Sequence, residues 1–413
     1  MPTQLEVDAR KKEIQREALK AWADNNFVGA IEMATGTGKS RIGVIAAFEF
    51  IKRGQQMKRS LITCSKTNLA EVNWPKEIHK WGYGEFIHRG LMECHQTSYK
   101  REDESFDVII VDEGHKALTQ EYKKLFYIDY SKLLILSAKF SKSNKEVLNE
   151  LQIPIIYTYS IEQAKLDGIV SNILNLQYKV ELLEEEEIAY NKLCDEIDKK
   201  ALNLVKAAGR DKDSGAWNLA NAWKDSDSPF LRSLAFGYIK AVGSRKQFLV
   251  NSSTRAIKVA ELIKFILDSQ PSAKIIVFGE VIAPIQVIET KLREYNIAYS
   301  SYHSKATAAK NSSELDLYRT GFTQVLLSAK ALIEGVDIPE ANVGIVMSQT
   351  SSLLDSIQRQ GRVSRYMEGK NSTMIYISTM VKGEDTQDVA WINKSGVKID
   401  KQINSIDDFI DLF

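Results

Sequence analysis

The chain has 413 residues, enough for two or three domains. Its apolar fraction of 44% and charged fraction of 26% are ordinary for a globular protein. A formal net charge of +1 excludes a protein that coats polyanions through bulk basicity, so any nucleic-acid contact must come from a local groove.

The three cysteines, Cys64, Cys94 and Cys194, form no CxxC pair, which argues against a zinc site or a disulfide framework and fits a reducing compartment. The N-terminus is polar and charged, without the apolar core of a secretory signal. No run of about 18 apolar residues occurs, so a soluble, cytoplasmic protein is expected.

Short β-branched runs at Gly29–Met33, Ser60–Cys64, Asp107–Val111, Leu133–Ser137 and Ile153–Tyr157 predict strands. Amphipathic helices are expected between them, at Arg41–Arg53 and Lys66–Lys80. The alternation predicts a doubly wound α/β domain over residues 1–165. Residues 166–250 read as a mostly helical linker or insertion. Within it, 182–208 forms a long polar helix and 209–229 an exposed connection, in which packing is the favoured use of Trp217 and Trp223. A second α/β domain follows over 251–380, with strands at Lys274–Gly279, Ile297–Tyr302, Thr323–Leu327, Val343–Met347 and Thr373–Ser378. Residues 381–413 carry no legible motif.

Three segments carry chemistry. MATGTGKS (33–40) sits between an apolar strand and a helix. The backbone amides of Thr35, Gly36, Thr37 and Gly38 and the helix N-terminus make an anion cradle. Lys39 is placed to reach the β- and γ-phosphates, and the Ser40 hydroxyl to ligate Mg²⁺. In DVIIVDEGH (107–115) a strand ends in two carboxylates, where open α/β sheets bind ligands. Asp112 suits the Mg²⁺ shell and Glu113 the activation of water. In QRQGRVSR (358–365), Arg362 and Arg365 lie three apart, as charges for a γ-phosphate would.

In this order the motifs resemble those of superfamily 2 helicases with a DEAH-like box, from about Gln15 to Arg365. The resemblance implies two tandem RecA-like domains, parallel sheets with helices on both faces, with a helical insertion between them and ATP bound between the domains. It implies an adenine-reading role for Gln15. Nucleic-acid contacts fall at Ser65 and Lys66 in LITCSKTNL, Gln96 and Thr97 in HQTSY, His303 in YHS, and Ser328 in LLSAKALIEGVDIP. In that last motif Gly335 and Asp337 would lie near the ribose. Gln358 would face His115, with Arg362 and Arg365 as fingers and Ser137 in the coupling motif LSAK. That motif ends in Lys139 where the family has Thr, and Ile14 stands where an aromatic precedes the glutamine. Size and spelling are similar to phage UvsW-type branch-migration helicases and to type III restriction motors. The expected cofactors are ATP and Mg²⁺. The expected partner is single-stranded or branched DNA, with RNA as the alternative, and the expected compartment is the host cytoplasm if the chain is phage-encoded. No membrane partner is expected, and a monomer suffices.

Overall fold

The computed structural model describes residues 3–54, 59–209, 215–329, 341–347, 359–360, 363, 372–381, 384–385, 392, 397–410 and 412–413. They divide into two compact units. One runs to Leu174; the other runs from Asn175 through the helices and strands that follow, while 341–344, 359–360, 363 and 372–374 count with the first.

The first unit is built on β1 (Val28–Met33), β2 (Ser60–Cys64), β3 (Gly90–Cys94), β4 (Ser105–Val111), β5 (Asp129–Ser137) and β6 (Ile155–Tyr159). Their order is β3-β2-β4-β5-β1-β6, and every neighbouring pair is parallel. Strand alternation divides the core between two faces. Ile31, Met33, Ile62, Val108, Ile110, Leu134 and Leu136 pack with helices α1 (Gln4–Asp24) and α2 (Lys39–Lys52). Ala30, Leu61, Ile109, Val111, Leu133 and Ile135 pack on the other side with Leu125, Phe140 and Leu148. This is the buried parallel sheet implied by near-continuous apolar runs.

Three local differences from the expected elements have physical reasons. β3 was not expected: GLMEC is an edge strand, half-buried throughout, with no apolar run to mark it. β6 begins at Ile155 rather than Ile153, because Pro154 has no N–H for the ladder and contributes only its carbonyl, to Ala30 N. The expected helix Lys66–Lys80 is a π turn over Leu69–Asn73 followed by Trp74–Lys80, broken where Pro75 removes an amide donor.

The second sheet contains β7 (Ile173–Glu181), β8 (Ile275–Gly279), β9 (Tyr299–His303), β10 (Val325–Ala329), β11 (Val343–Val346), β12 (Ser372–Val381), β13 (Glu384–Asp385) and β14 (Lys401–Ile403). The order is β14-β7-β12-β11-β8-β10-β9, with β13 paired antiparallel to β12. β7 lies at the start of the segment 166–250, where a mostly helical linker was expected. Its polar residues Asn175 and Gln177 are buried, Gln177 bonding Ser378 Oγ at 3.1 Å, and they mask the strand pattern. The same segment does hold helices Glu184–Ala207, Ala216–Trp223 and Pro229–Val250. Trp223 packs against Leu204, Ala220 and Ala235, whereas Trp217 is 50% exposed. The unread C-terminal segment supplies β14, parallel to β7, and buries Phe409 against Tyr178. Among the described residues no helix is long and apolar enough to cross a membrane.

Arg255, at the start of helix Ser253–Ser269, is buried and donates to the carbonyls of Leu249, Met347 and Ile377. One guanidinium thus joins the end of one helix to the chain after β11 and to β12. Arg255→Met strands these acceptors, at a cost on the order of 3 kcal/mol. Thermal unfolding should register a Tm lower by about 10 °C; an unchanged Tm contradicts this role.

Candidate active site

The phosphate-loop segment leaves β1 at Met33 and enters α2 at Lys39. Gly36 and Gly38 have φ of +83° and +94°, backbone that a side chain rarely adopts. A Cβ at Gly38 would also stand 2.1 Å from Gln15 Nε2. Gly38 gives α2 no side-chain cap, which leaves first-turn amides available to an anion. Thr37 Oγ1 closes the loop by donating to the Ala34 carbonyl at 2.7 Å. Lys39 Nζ lies back across the loop, donating to the carbonyls of Met33 at 2.9 Å and Ala34 at 3.2 Å.

Gln15, the expected adenine reader, touches the phosphate loop. It is buried, Nε2 donates to the Thr37 carbonyl at 2.9 Å, and Oε1 accepts from Arg41 Nη1 at 2.8 Å. Its direct partner is the phosphate loop, and Arg41 in turn stacks on Trp81 at 4.5 Å.

The acid pair follows β4, at the same C-terminal end of the parallel strands. Glu113 has φ 50° and ψ 45°, a left-handed conformation uncommon for a non-glycine residue and a form of strain concentrated at functional sites. Gly114 follows because the turn lies on β5: a Cβ there would stand 2.3 Å from Ile135 Cγ2. Glu113 N donates to Asp112 Oδ1 at 3.0 Å. Burial pushes the Asp112 carboxyl up to about 7; the Glu113 charge adds to the rise, and Lys39 opposes it. Burial also pulls the Lys39 ammonium below its usual range, against the pull of Glu113 and Asp112.

These groups fit a magnesium nucleotide. Two carboxylates beside one desolvated ammonium leave the site short of positive charge, the deficit a divalent cation fills. Among the described residues Thr35 Oγ1 and Glu113 Oε2 have no hydrogen-bond partner although both atoms are buried, so polar valence remains for a ligand. Ser40 is half-buried in the first turn of α2.

His115 is buried, and Nδ1 lies 3.0 Å from Ser137 Oγ and 3.4 Å from Glu113 Oε2. Ser137 donates its hydroxyl to the Lys139 carbonyl at 2.9 Å, so its oxygen accepts from a His115 protonated at Nδ1. The expected partner of His115, Gln358, lies outside the described residues; within them His115 meets Ser137.

The expected nucleic-acid contacts are more scattered. Ser65 Oγ is buried just past β2 without a partner among the described residues, and Lys66 is exposed. Gln96 and Thr97 are exposed in the turn after β3, beside β2. In the second sheet His303 ends β9, its backbone bracketed by Asn311 at 3.3 and 3.1 Å. Ser328 is a correction: it is buried in β10 between β8 and β9, so it presents no surface to a strand. Gly335, Asp337, Gln358, Arg362 and Arg365 lie outside the described residues. Residues that the motif reading missed include Arg41, Glu32 and Asn144. Asn144 Nδ2 donates to the His115 carbonyl at 3.0 Å and the Leu118 carbonyl at 3.3 Å. The capping pattern around Ser141 was the only sequence signal for it.

Residues 257–367 match the family model of the helicase conserved C-terminal domain. The DNA 3'-5' translocase XPB2 of Sulfurisphaera tokodaii is 26% identical over 400 residues, covering 90% of this chain and 82% of that protein. Putative helicase 22 of a Sulfolobus islandicus filamentous virus is 23% identical over 387 residues, 87% of this chain. Of that relative the match spans 62%. The helicase domain of Pyrococcus furiosus Hef shares the fold with a TM-score of 0.58 at 16% identity, covering 94% of this chain and 98% of its own.

Proposed function

We propose that this chain is an ATP-dependent DNA helicase or translocase of superfamily 2, which hydrolyses ATP to move along or remodel DNA. The observation that carries the reading is the convergence of a glycine-strained phosphate loop, a half-buried lysine and a half-buried acid pair at the C-terminal ends of neighbouring parallel strands, in a chain whose 257–367 segment matches a helicase domain. DNA is preferred over RNA because the XPB2 relative, named a DNA translocase, aligns over 90% of the chain. That name also makes 3'-to-5' travel the expected direction. The DEAH-like subtype and a preference for branched DNA, as in UvsW-type enzymes, belong to the same proposal.

In this mechanism the loop amides of 35–38 and the Lys39 ammonium hold the phosphates. Ser40 and Asp112 would hold Mg²⁺, which would supply neutralisation of the phosphate charge. Glu113 takes the proton of the attacking water. Arg362 and Arg365 are the proposed guanidinium partners of the γ-phosphate, Gln358 a polar partner beside it, and Gly335 and Asp337 the ribose neighbours. Gln15 reports on the loop through Thr37, and His115 with Ser137 couples the acid pair to the 137–140 turn. Ser65, Lys66, Gln96, Thr97 and His303 are the proposed grips on the backbone. Phosphate contacts of this kind carry little sequence information, so travel is sequence-tolerant.

The test is steady-state ATP turnover with single-stranded DNA or RNA of one sequence. DNA is expected to raise turnover, with a stimulation that falls as salt rises. Stimulation by RNA alone would move the reading to an RNA remodeller, because the 2'-OH is then the recognised group. Stimulation by neither would remove the motor reading.

A further inference from the structure

We infer that Glu32 is a positioning residue for ATP turnover, holding the 137–140 turn in register with the phosphate loop. The inference rests on the reading of the site given above.

Glu32 occupies an unexpected place. β1 is otherwise apolar, and on the face that carries Val28 and Ala30 the next position is this carboxylate. It stands beside Ser137 in the register of β1 with β5. Where β5 ends at Ser137, the chain turns so that Phe140 buries its ring in the core on this face. The Phe140 amide has left the ladder, and an unpaired buried N–H is costly. Glu32 Oε2 accepts it at 2.8 Å.

The consequence reaches beyond satisfying one amide. Met33, the next residue, gives its carbonyl to Lys39 Nζ. Across the turn, the Lys139 carbonyl accepts from Ser137, whose oxygen accepts from His115, which lies beside Glu113. Asn144 fixes the far end by donating to the His115 carbonyl. A single carboxylate therefore ties the strand that starts the phosphate loop to the turn that braces the acid pair. Without it the turn keeps its hydrophobic anchor at Phe140 but loses its register with β1. Misplacements of about 1 Å remote from the reacting atoms can cost on the order of a hundredfold in rate.

The experiment compares Glu32→Ala, Glu32→Gln and Lys39→Ala with the wild type, in DNA-stimulated ATP turnover and thermal unfolding. Glu32→Ala should lower kcat by about ten- to a hundredfold with KM for ATP within about twofold. Glu32→Gln keeps an acceptor oxygen at the same reach and should recover kcat to within about threefold of wild type. A folded Glu32→Ala with wild-type kcat, or a Glu32→Gln as slow as Glu32→Ala, overturns the inference. A lowered Tm with unchanged kcat assigns Glu32 to stability alone and overturns it too. Should Glu32→Ala not fold, Glu32→Asp withdraws the acceptor by one methylene and carries the same comparison. If Lys39→Ala turns over ATP like the wild type, the reading of the site fails first and takes this inference with it.

Discussion

Glu113→Gln is expected to lower kcat for ATP by about a hundred- to ten-thousandfold while nucleotide binding survives, the range that a general base supplies. The backbone makes this a clean substitution. Glu113 is held at φ 50° between Asp112 and a glycine pressed on Ile135, so an amide of the same shape inherits the geometry and loses only the proton acceptor. Among the described residues its Oε2 accepts no hydrogen bond, and His115 Nδ1 stands off at 3.4 Å, so little internal bonding is lost with the charge. Removing that charge also takes away one cause of the raised Asp112 pKa, which favours an ionised Asp112 and a retained cation. Single-turnover hydrolysis beside a fluorescent-nucleotide titration checks both halves. A kcat within tenfold of wild type contradicts the assignment, as does loss of binding.

Lys39→Ala is expected to act on both quantities: nucleotide affinity falls and turnover drops by roughly a thousandfold. The ammonium is buried against two loop carbonyls and faces both carboxylates, so it is already desolvated where a phosphate charge would lie. A charge in such surroundings is worth far more than one in water. The same titration and turnover measurements distinguish the two variants: Glu113→Gln should separate binding from hydrolysis, and Lys39→Ala should not.

How far the sequence carried depended on whether a residue's chemistry could be read one position at a time. MATGTGKS and VDEGH were legible because glycines, a lysine and paired carboxylates at strand ends have few other uses. β1, β2, β4 and β5 were legible because buried parallel strands are continuous apolar runs. β7 was not, since the polar Asn175 and Gln177 are buried in it and Gln177 bonds a partner far along the chain, Ser378. β3 was hidden by its place at a sheet edge. In the site, the intramolecular partners of Gln15 and His115 were hidden for the same reason. Their hydrogen bonds go to Thr37 and Arg41, and to Ser137, and family motifs name positions without saying which neighbour satisfies them. Ser328 shows the opposite error: a motif position was given a surface role, yet it is buried in a strand with one neighbour on either side.

The central claim is that hydrolysis at the 33–40 loop drives movement along DNA. Displacement of a third strand from a DNA triplex tests it most directly, because release requires a protein to travel through the duplex beneath. Wild-type chain with ATP should release the third strand from a substrate loaded for 3'-to-5' travel, and Lys39→Ala should release none. Rapid DNA-stimulated ATP hydrolysis with the triplex left intact in either loading direction would contradict the account.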